Sequence, residues 1–163
     1  MARSNSPFLD RRTVLITLAL AATAGPLAAA DTRPRVTIWK DPDCGCCGAW
    51  GEHLARAGFP VSVVDVADMD AVKSRLGVPG ELQSCHTAEV GKYVLEGHVP
   101  ASAVLRLLAE SPSIRGLAVP GMPVGSPGME VKGMVPDTYV VSAFMADGTY
   151  SDFMKFTGAS PTG

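Results

Sequence analysis

Arg35-Val36-Thr37-Ile38-Trp39 runs through Lys40 into Asp41-Pro42-Asp43-Cys44-Gly45-Cys46-Cys47, and this stretch decides the fold. The first five residues are β-branched or aromatic at four positions and read as a strand. Asp41-Pro42-Asp43 is turn chemistry with a helix start behind it. A helix is predicted from about Cys46 to Ala57, because Trp50, Leu54 and Ala57 share one face. Gly58 and Pro60 end it. Val61 to Val66 is a second apolar strand. A right-handed β-α-β start requires the two strands to pair in parallel. Reactive thiols between a first strand and a first helix are where thioredoxin-like folds place them.

Working outward, Asp68 caps a predicted helix through Leu76, with Met69, Val72 and Leu76 inward. Cys85-His86 falls in a short irregular or helical stretch, and Val90 to Glu96 reads as one strand. Pro100 opens a helix whose inward stripe is Ala101, Val104, Leu105 and Leu108. Residues 116–136 hold five Gly, four Pro and three Met with no period, and read as a long loop. Thr138 to Phe144 and Thr149 to Phe156 form a hairpin around Asp147-Gly148, and residues 158–163 are expected to fray. The expectation is an α/β, thioredoxin-like domain over residues 31–157, with a mixed sheet, flanking helices and a C-terminal hairpin.

The N-terminus reads as an address. Arg11-Arg12 precedes the uncharged run 13–30, which ends in Ala28-Ala29-Ala30. This is the pattern of a secretory signal peptide over residues 1–30, and the arginine pair suits twin-arginine export. All four cysteines lie beyond it, in a compartment that permits disulfides. Of the 163 residues, 18% are charged, and the net charge is −2, which disfavours a nucleic-acid face. An apolar content of 47% is enough for a core and excludes wholesale disorder.

Three thiols crowd into Cys44-Gly45-Cys46-Cys47, and Cys85 is the fourth. Every way of pairing the four puts a bond inside the triplet or between its ends. Cys46–Cys47 would be vicinal, with Cα atoms about 3.8 Å apart, below the usual range for a disulfide. Cys44–Cys46 closes a strained small ring. Cys44–Cys47 is comfortable, and it is a C-x-x-C pair of the redox type. Inert stapling is therefore the least natural use. Cys46 and Cys47 lie near a helix N-terminus, which favours thiolates, and both thiol redox and metal binding exploit that property. A closed zinc site wants ligands two to four residues apart. Adjacent cysteines suit thiolates that bridge several soft Cu(I) ions, and four Cu⁺ on four thiolates would be neutral.

Methionines extend the same theme. Met122, Met129 and Met134 lie in the Gly/Pro-rich loop, where methionine is a poor turn former. They either plug apolar gaps or offer thioethers to Cu(I), whereas Met69, Met145 and Met154 belong to periodic elements. His53 is expected on the solvent side of the first helix. His86 is a candidate ligand or proton handler, and His98 is structural by spacing. Trp39 and Trp50 are expected to wall the site, and Asp41 and Asp43 to shape the turn.

Asp41 through Cys47, Ser84-Cys85-His86-Thr87, Glu96-Gly97-His98-Val99-Pro100 and Gly116 through Glu130 occur in one order. Together they resemble the CopG-like periplasmic copper-resistance family, a thioredoxin-like domain formerly of unknown function, over residues 35–156. The resemblance implies a cysteine-bridged, multinuclear Cu(I) site on Cys44, Cys46, Cys47 and Cys85. His86, His98, Met122 and Met129 would be accessory ligands or neighbours. It also implies a periplasmic role in copper resistance, with Cu(I)/Cu(II) redox activity and other copper-handling proteins as partners. Membrane attachment after signal removal is not expected. Two alternatives remain open. One is a thiol–disulfide oxidoreductase using Cys44 and Cys47. The other is a carrier that passes Cu(I) on.

Overall fold

A computed structural model describes residues 33–162. The expected signal peptide lies outside the described residues. No helix among them is long and apolar enough to cross a membrane.

The elements follow in the order β1 (Val36–Lys40), α1 (Gly45–Arg56), β2 (Val61–Asp65), α2 (Met69–Leu76), a 3-10 turn (Gly80–Leu82), β3 (His86–Val90), β4 (Tyr93–Glu96), α3 (Ala101–Glu110), β5 (Gly116–Ala118), β6 (Thr138–Phe144), β7 (Tyr150–Thr157) and β8 (Ser160–Pro161). The strands form one mixed, open sheet in the order β2-β1-β3-β4-β5-β6-β7-β8. β1 and β2 pair in parallel, as a β-α-β start demands, and β3 runs antiparallel to β1.

Alternation along the strands feeds two cores. Val36, Ile38, Tyr93 and Leu95 point to one face and pack with Trp50 and Leu54 of α1 and Ala103, Val104 and Leu107 of α3. Val94 and Ala118 point to the other, where they meet Phe144 and Val72 and Leu76 of α2. The mixed sheet, the flanking helices and the C-terminal hairpin agree with the expectation.

Several local expectations are corrected. The single strand predicted over 90–96 is a hairpin, β3 and β4, turned by Gly91-Lys92. Gly91 has φ +59°, a conformation that glycine adopts at low cost. His86 therefore begins a strand and is not in an irregular stretch. In α3 Ala101 and Val104 are buried as expected, but the fully buried leucine is Leu107, and Leu105 is exposed. The predicted structureless run 116–136 begins with β5, paired to β4 and β6. The expected frayed tail pairs as β8 with Phe156 and Thr157.

Candidate metal and thiol site

Strand register assembles the site. β1 ends at Lys40, opposite His86 of β3, so the turn after β1 faces the segment before β3. That turn is fixed by Asp43 N donating to Asp41 Oδ1 at 2.8 Å. Cys44 then stands at the N-cap of α1, with Cys46 and Cys47 in its first turn. The β3–β4 hairpin pairs Thr87 with Glu96, and Gly97 turns with φ +69°. His98 is thereby returned beside Cys85 and His86. A Cβ on Gly97 would stand 2.7 Å from Ser84 Cβ, so this return needs glycine.

The four sulfurs converge: the Sγ atoms of Cys44, Cys46, Cys47 and Cys85 all lie within 4.8 Å of one another. Cys44 and Cys47 are joined as a disulfide, and Cys46 and Cys85 are free thiols. Cys46 Sγ is 3.5 Å from Cys44 Sγ and 3.9 Å from Cys85 Sγ. Cys47 is fully buried, while Cys44 is half-buried, so Cys44 is the accessible sulfur of the bonded pair.

A second group overlaps the first. Cys85 Sγ lies 3.3 Å from His86 Nδ1 and 3.3 Å from His98 Nε2. His98 Nδ1 donates to the Pro127 carbonyl at 2.8 Å. A carbonyl only accepts, so the neutral ring carries its proton on Nδ1 and turns the Nε2 lone pair toward the thiol. Burial holds His98 below the usual imidazole range, against the pull of that carbonyl. Burial also pushes His86 well below that range, helped by His98 and Lys73. His86 packs on Trp50 with ring centroids 4.4 Å apart. Its Nε2 is buried with no hydrogen-bond partner among the described residues. The Cys85 thiol is pushed up to about 11, first by burial and then by the neighbouring Cys46 thiol.

Beneath Cys85 lies a buried ion pair. Lys73 Nζ meets Glu96 Oε1 at 2.5 Å, with the two side chains 5% and 0% exposed. Glu96 also accepts from Ser84 N at 2.6 Å and from Thr87 Oγ1 at 2.6 Å, and Lys73 donates to Thr87 Oγ1 at 3.0 Å. The carboxylate thus clamps both ends of Ser84-Cys85-His86-Thr87. Burial raises the Glu96 pKa, opposed by Lys73 and the hydrogen bonds. Lys73 was not among the residues singled out in the sequence. Its signal was its place beside Val72 on the inward face of α2, matched by an acid ending the apolar strand Tyr93–Glu96.

The glycine-rich loop closes over the site frame. Ser84 Oγ donates to the Gly121 carbonyl at 2.5 Å. Gly128 lies so close to α1 that a Cβ there would be 2.9 Å from Trp50 N and 3.1 Å from Cys46 O. Met122, next to Gly121, is exposed, and Met129, next to Gly128, is half-buried. His53 is a correction. It is half-buried, and its Nε2 accepts from Ala101 N at 3.0 Å, capping the start of α3. Trp50 is core, and its Nε1 donates to the Val99 carbonyl at 2.9 Å.

Residues 82–129 match a family model described as a protein of unknown function, DUF411. A comparison with curated proteins finds no match. Two solved structures of a copper resistance protein CopG, forms 1 and 2, do match. Each is 44% identical with a TM-score of 0.72; form 1 aligns over 77% of this chain and 99% of its own, form 2 over 76% and 98%. The chain belongs to the CopG family. The motif order that suggested CopG therefore pointed to the right family. The DUF411 match spans Cys85, His86, His98, Met122 and Met129 but begins after the Cys44–Cys47 turn. The alignment with the CopG structures is long enough to span most of the described chain.

Proposed function

We propose that this chain is an exported copper-resistance protein that holds several Cu(I) ions on Cys44, Cys46, Cys47 and Cys85. The observation that carries the reading is the convergence of four sulfurs within 4.8 Å, one of them brought from 39 residues away in sequence. Soft cations prefer such sulfur sets, and adjacent cysteines that cannot share one tetrahedral ion can bridge several. The 44% identity to solved copper resistance proteins supports copper as the ion. The four-thiolate form requires an external thiol reductant to give two electrons and two protons to the Cys44–Cys47 bond and be oxidised to its own disulfide, after which the four thiols release their protons as Cu(I) binds. Met122 and Met129 serve this reading as accessory thioethers on the loop tethered to Ser84. Periplasmic residence follows from the signal-like residues 1–30, and other copper-handling proteins are the fitting partners.

The test is anaerobic titration of fully reduced protein with Cu(I), followed by metal analysis. Several ions per chain, and loss of most of them in Cys85→Ser, support the reading; one ion or none overturns it.

A second reading is favoured by the closed Cys44–Cys47 bond, with Cys44 accessible and Cys47 buried. That arrangement suits thiol–disulfide exchange through Cys44. It predicts turnover of a disulfide substrate by metal-free protein, and it fails if no such turnover is measured.

A further inference from the structure

The two edges of the sheet are finished differently. At one edge β8 is two residues long and contains Pro161. There Thr162 N donates to the Lys155 carbonyl at 2.8 Å, and Arg106 Nη1 donates to the Phe153 carbonyl at 3.4 Å. Such devices keep an edge from recruiting another strand. At the other edge β2 has none of them, and among the described residues no strand pairs with its outer side. We propose that β2 is a dimer edge, on which the β2 of a second copy pairs antiparallel about Val63.

Backbone direction carries the proposal. β1 and β2 pair in parallel with Val36 opposite Val61. Val36 N donates to the Pro60 carbonyl at 2.8 Å, and Val66 N donates to the Lys40 carbonyl at 2.9 Å. The even-numbered residues of β2 therefore spend their N–H and C=O groups on β1. Those of Val61, Val63 and Asp65 point away from the sheet. A two-fold axis through Val63 sets Val61 of one copy against Asp65 of the other, and Val63 against itself, so each of these groups finds a partner. β2 is also apolar where edge strands usually carry charge: Val63 is 47% exposed and Val64 38%. The two valines lie on opposite faces of the sheet, so pairing covers apolar surface on both.

Charge selects a second copy as the occupant. The end of β2 is acidic, with Asp65, Asp68 and Asp70 exposed. Lys40 offsets one of them, at 3.0 Å from Asp65. The start of β2 is basic. Arg35 precedes Val36, which lies opposite Val61. Arg56 ends α1 shortly before β2, where Glu52 offsets it at 3.7 Å, and Arg33 lies over the Phe59 ring. Antiparallel pairing lays the basic start of each β2 beside the acidic end of the other, twice over by symmetry. Parallel pairing of two copies would set like charges together.

A five-residue edge is a small contact beside the roughly 1,600 Å² of a standard interface. The dimer is therefore weak, with a Kd between about 1 μM and about 1 mM, and it dissociates on dilution. Salt weakens it further, because the screening length falls to about 3 Å at about 1 M. No residue of the thiol site belongs to β2, so the inference does not rest on the copper reading.

The test is sedimentation equilibrium of the exported chain in its disulfide form. A chelator is present, and a non-reducing gel checks that no cross-chain disulfide joins two copies. The expected result is a monomer–dimer equilibrium that shifts to monomer in high salt. Amide hydrogen exchange at Val61, Val63 and Asp65 is expected to slow as protein concentration rises, while Ser62 and Val64, already bonded to β1, do not change. Val63→Lys sets two ammonium groups against each other at the axis and is expected to weaken the dimer by about tenfold or more. Should that variant not fold, Val63→Pro, whose missing N–H points outward, takes its place. Arg35→Asp and Asp68→Arg are each expected to weaken the dimer by about threefold or more, and the double variant to recover most of the loss. A wild type that stays monomeric up to about 1 mM overturns the proposal and leaves the edge to a strand from a different chain. A dimer that a folded Val63 variant leaves unchanged, or a charge-swapped double variant no better than the singles, overturns it as well.

Discussion

Lys73→Met is expected to be among the most destabilising single changes outside the cysteines, and its cost is expected to depend on pH. The substitution keeps the aliphatic stem but leaves the Glu96 carboxylate, fully buried, without its counter-ion. Removing one partner of a buried pair costs about 3–5 kcal/mol. Neither side chain is exposed enough for solvent to screen the loss. Glu96 can escape by taking up a proton, which sets an upper limit. Each pH unit above an ordinary carboxyl value near 4.3 makes that protonation about 1.36 kcal/mol dearer. The limit is therefore about 5 kcal/mol at pH 8 and about 1 kcal/mol at pH 5. The sign agrees with the raised Glu96 pKa. A carboxyl whose folded value lies above its unfolded value contributes stability at low pH and loses it as pH rises. Urea denaturation of wild type and variant at the two pH values measures this directly. The double variant Lys73→Met/Glu96→Gln removes the stranded charge and is expected to recover at least half of the loss at pH 8. A loss below about 1 kcal/mol at pH 8, equal losses at both pH values, or a double variant no better than the single would refute the reasoning.

Other predictions follow from the same geometry. Gly97→Ala forces a left-handed backbone on alanine and a contact with Ser84, and should cost about 1–3 kcal/mol by denaturation; it should also lower Cu(I) loading, because it separates His98 and Cys85. His53→Ala removes the acceptor for Ala101 N and should cost about 1 kcal/mol, with Cu(I) stoichiometry unchanged. Burial, then Arg56, holds the His53 pKa down, so wild-type stability should fall as pH drops through the ordinary imidazole value. His53→Gln should lack that component of the pH profile. Cys85→Ser should still form the Cys44–Cys47 bond on oxidation, as peptide mapping would reveal, while losing most of its Cu(I).

Much of the architecture was legible because its signals are local. The β-branched run into Asp41-Pro42-Asp43 announced β1 and its turn. The Trp50–Leu54 spacing announced α1, and Asp147-Gly148 announced the closing hairpin. The β3–β4 turn was missed because Gly91-Lys92 interrupts an apolar run with a single glycine and looks like part of one strand. β5 and β8 are three and two residues long, too short for a pattern of their own; β5 exists through pairing with the distant β4 and β6, and β8 by folding straight back on the end of β7.

The site divides in the same way. The cysteine triplet was visible from spacing, and Cys85 with His86 from their adjacency. The approach of His98 to Cys85 depends on hairpin register and on the Gly97 turn, so spacing alone made it structural. His53 was misplaced because its partner, the first amide of α3, is 48 residues away. Lys73 and Glu96 were overlooked because a charged residue on an apolar face identifies itself only when its counter-ion is seen.

The central claim is that these four sulfurs together embrace several Cu(I) ions. Copper K-edge X-ray absorption on reduced, Cu(I)-saturated protein tests it most directly. The account predicts a first shell made essentially of sulfur, with a second shell of copper at short distance. A single copper environment with no copper neighbour, or a first shell dominated by nitrogen and oxygen, would contradict it.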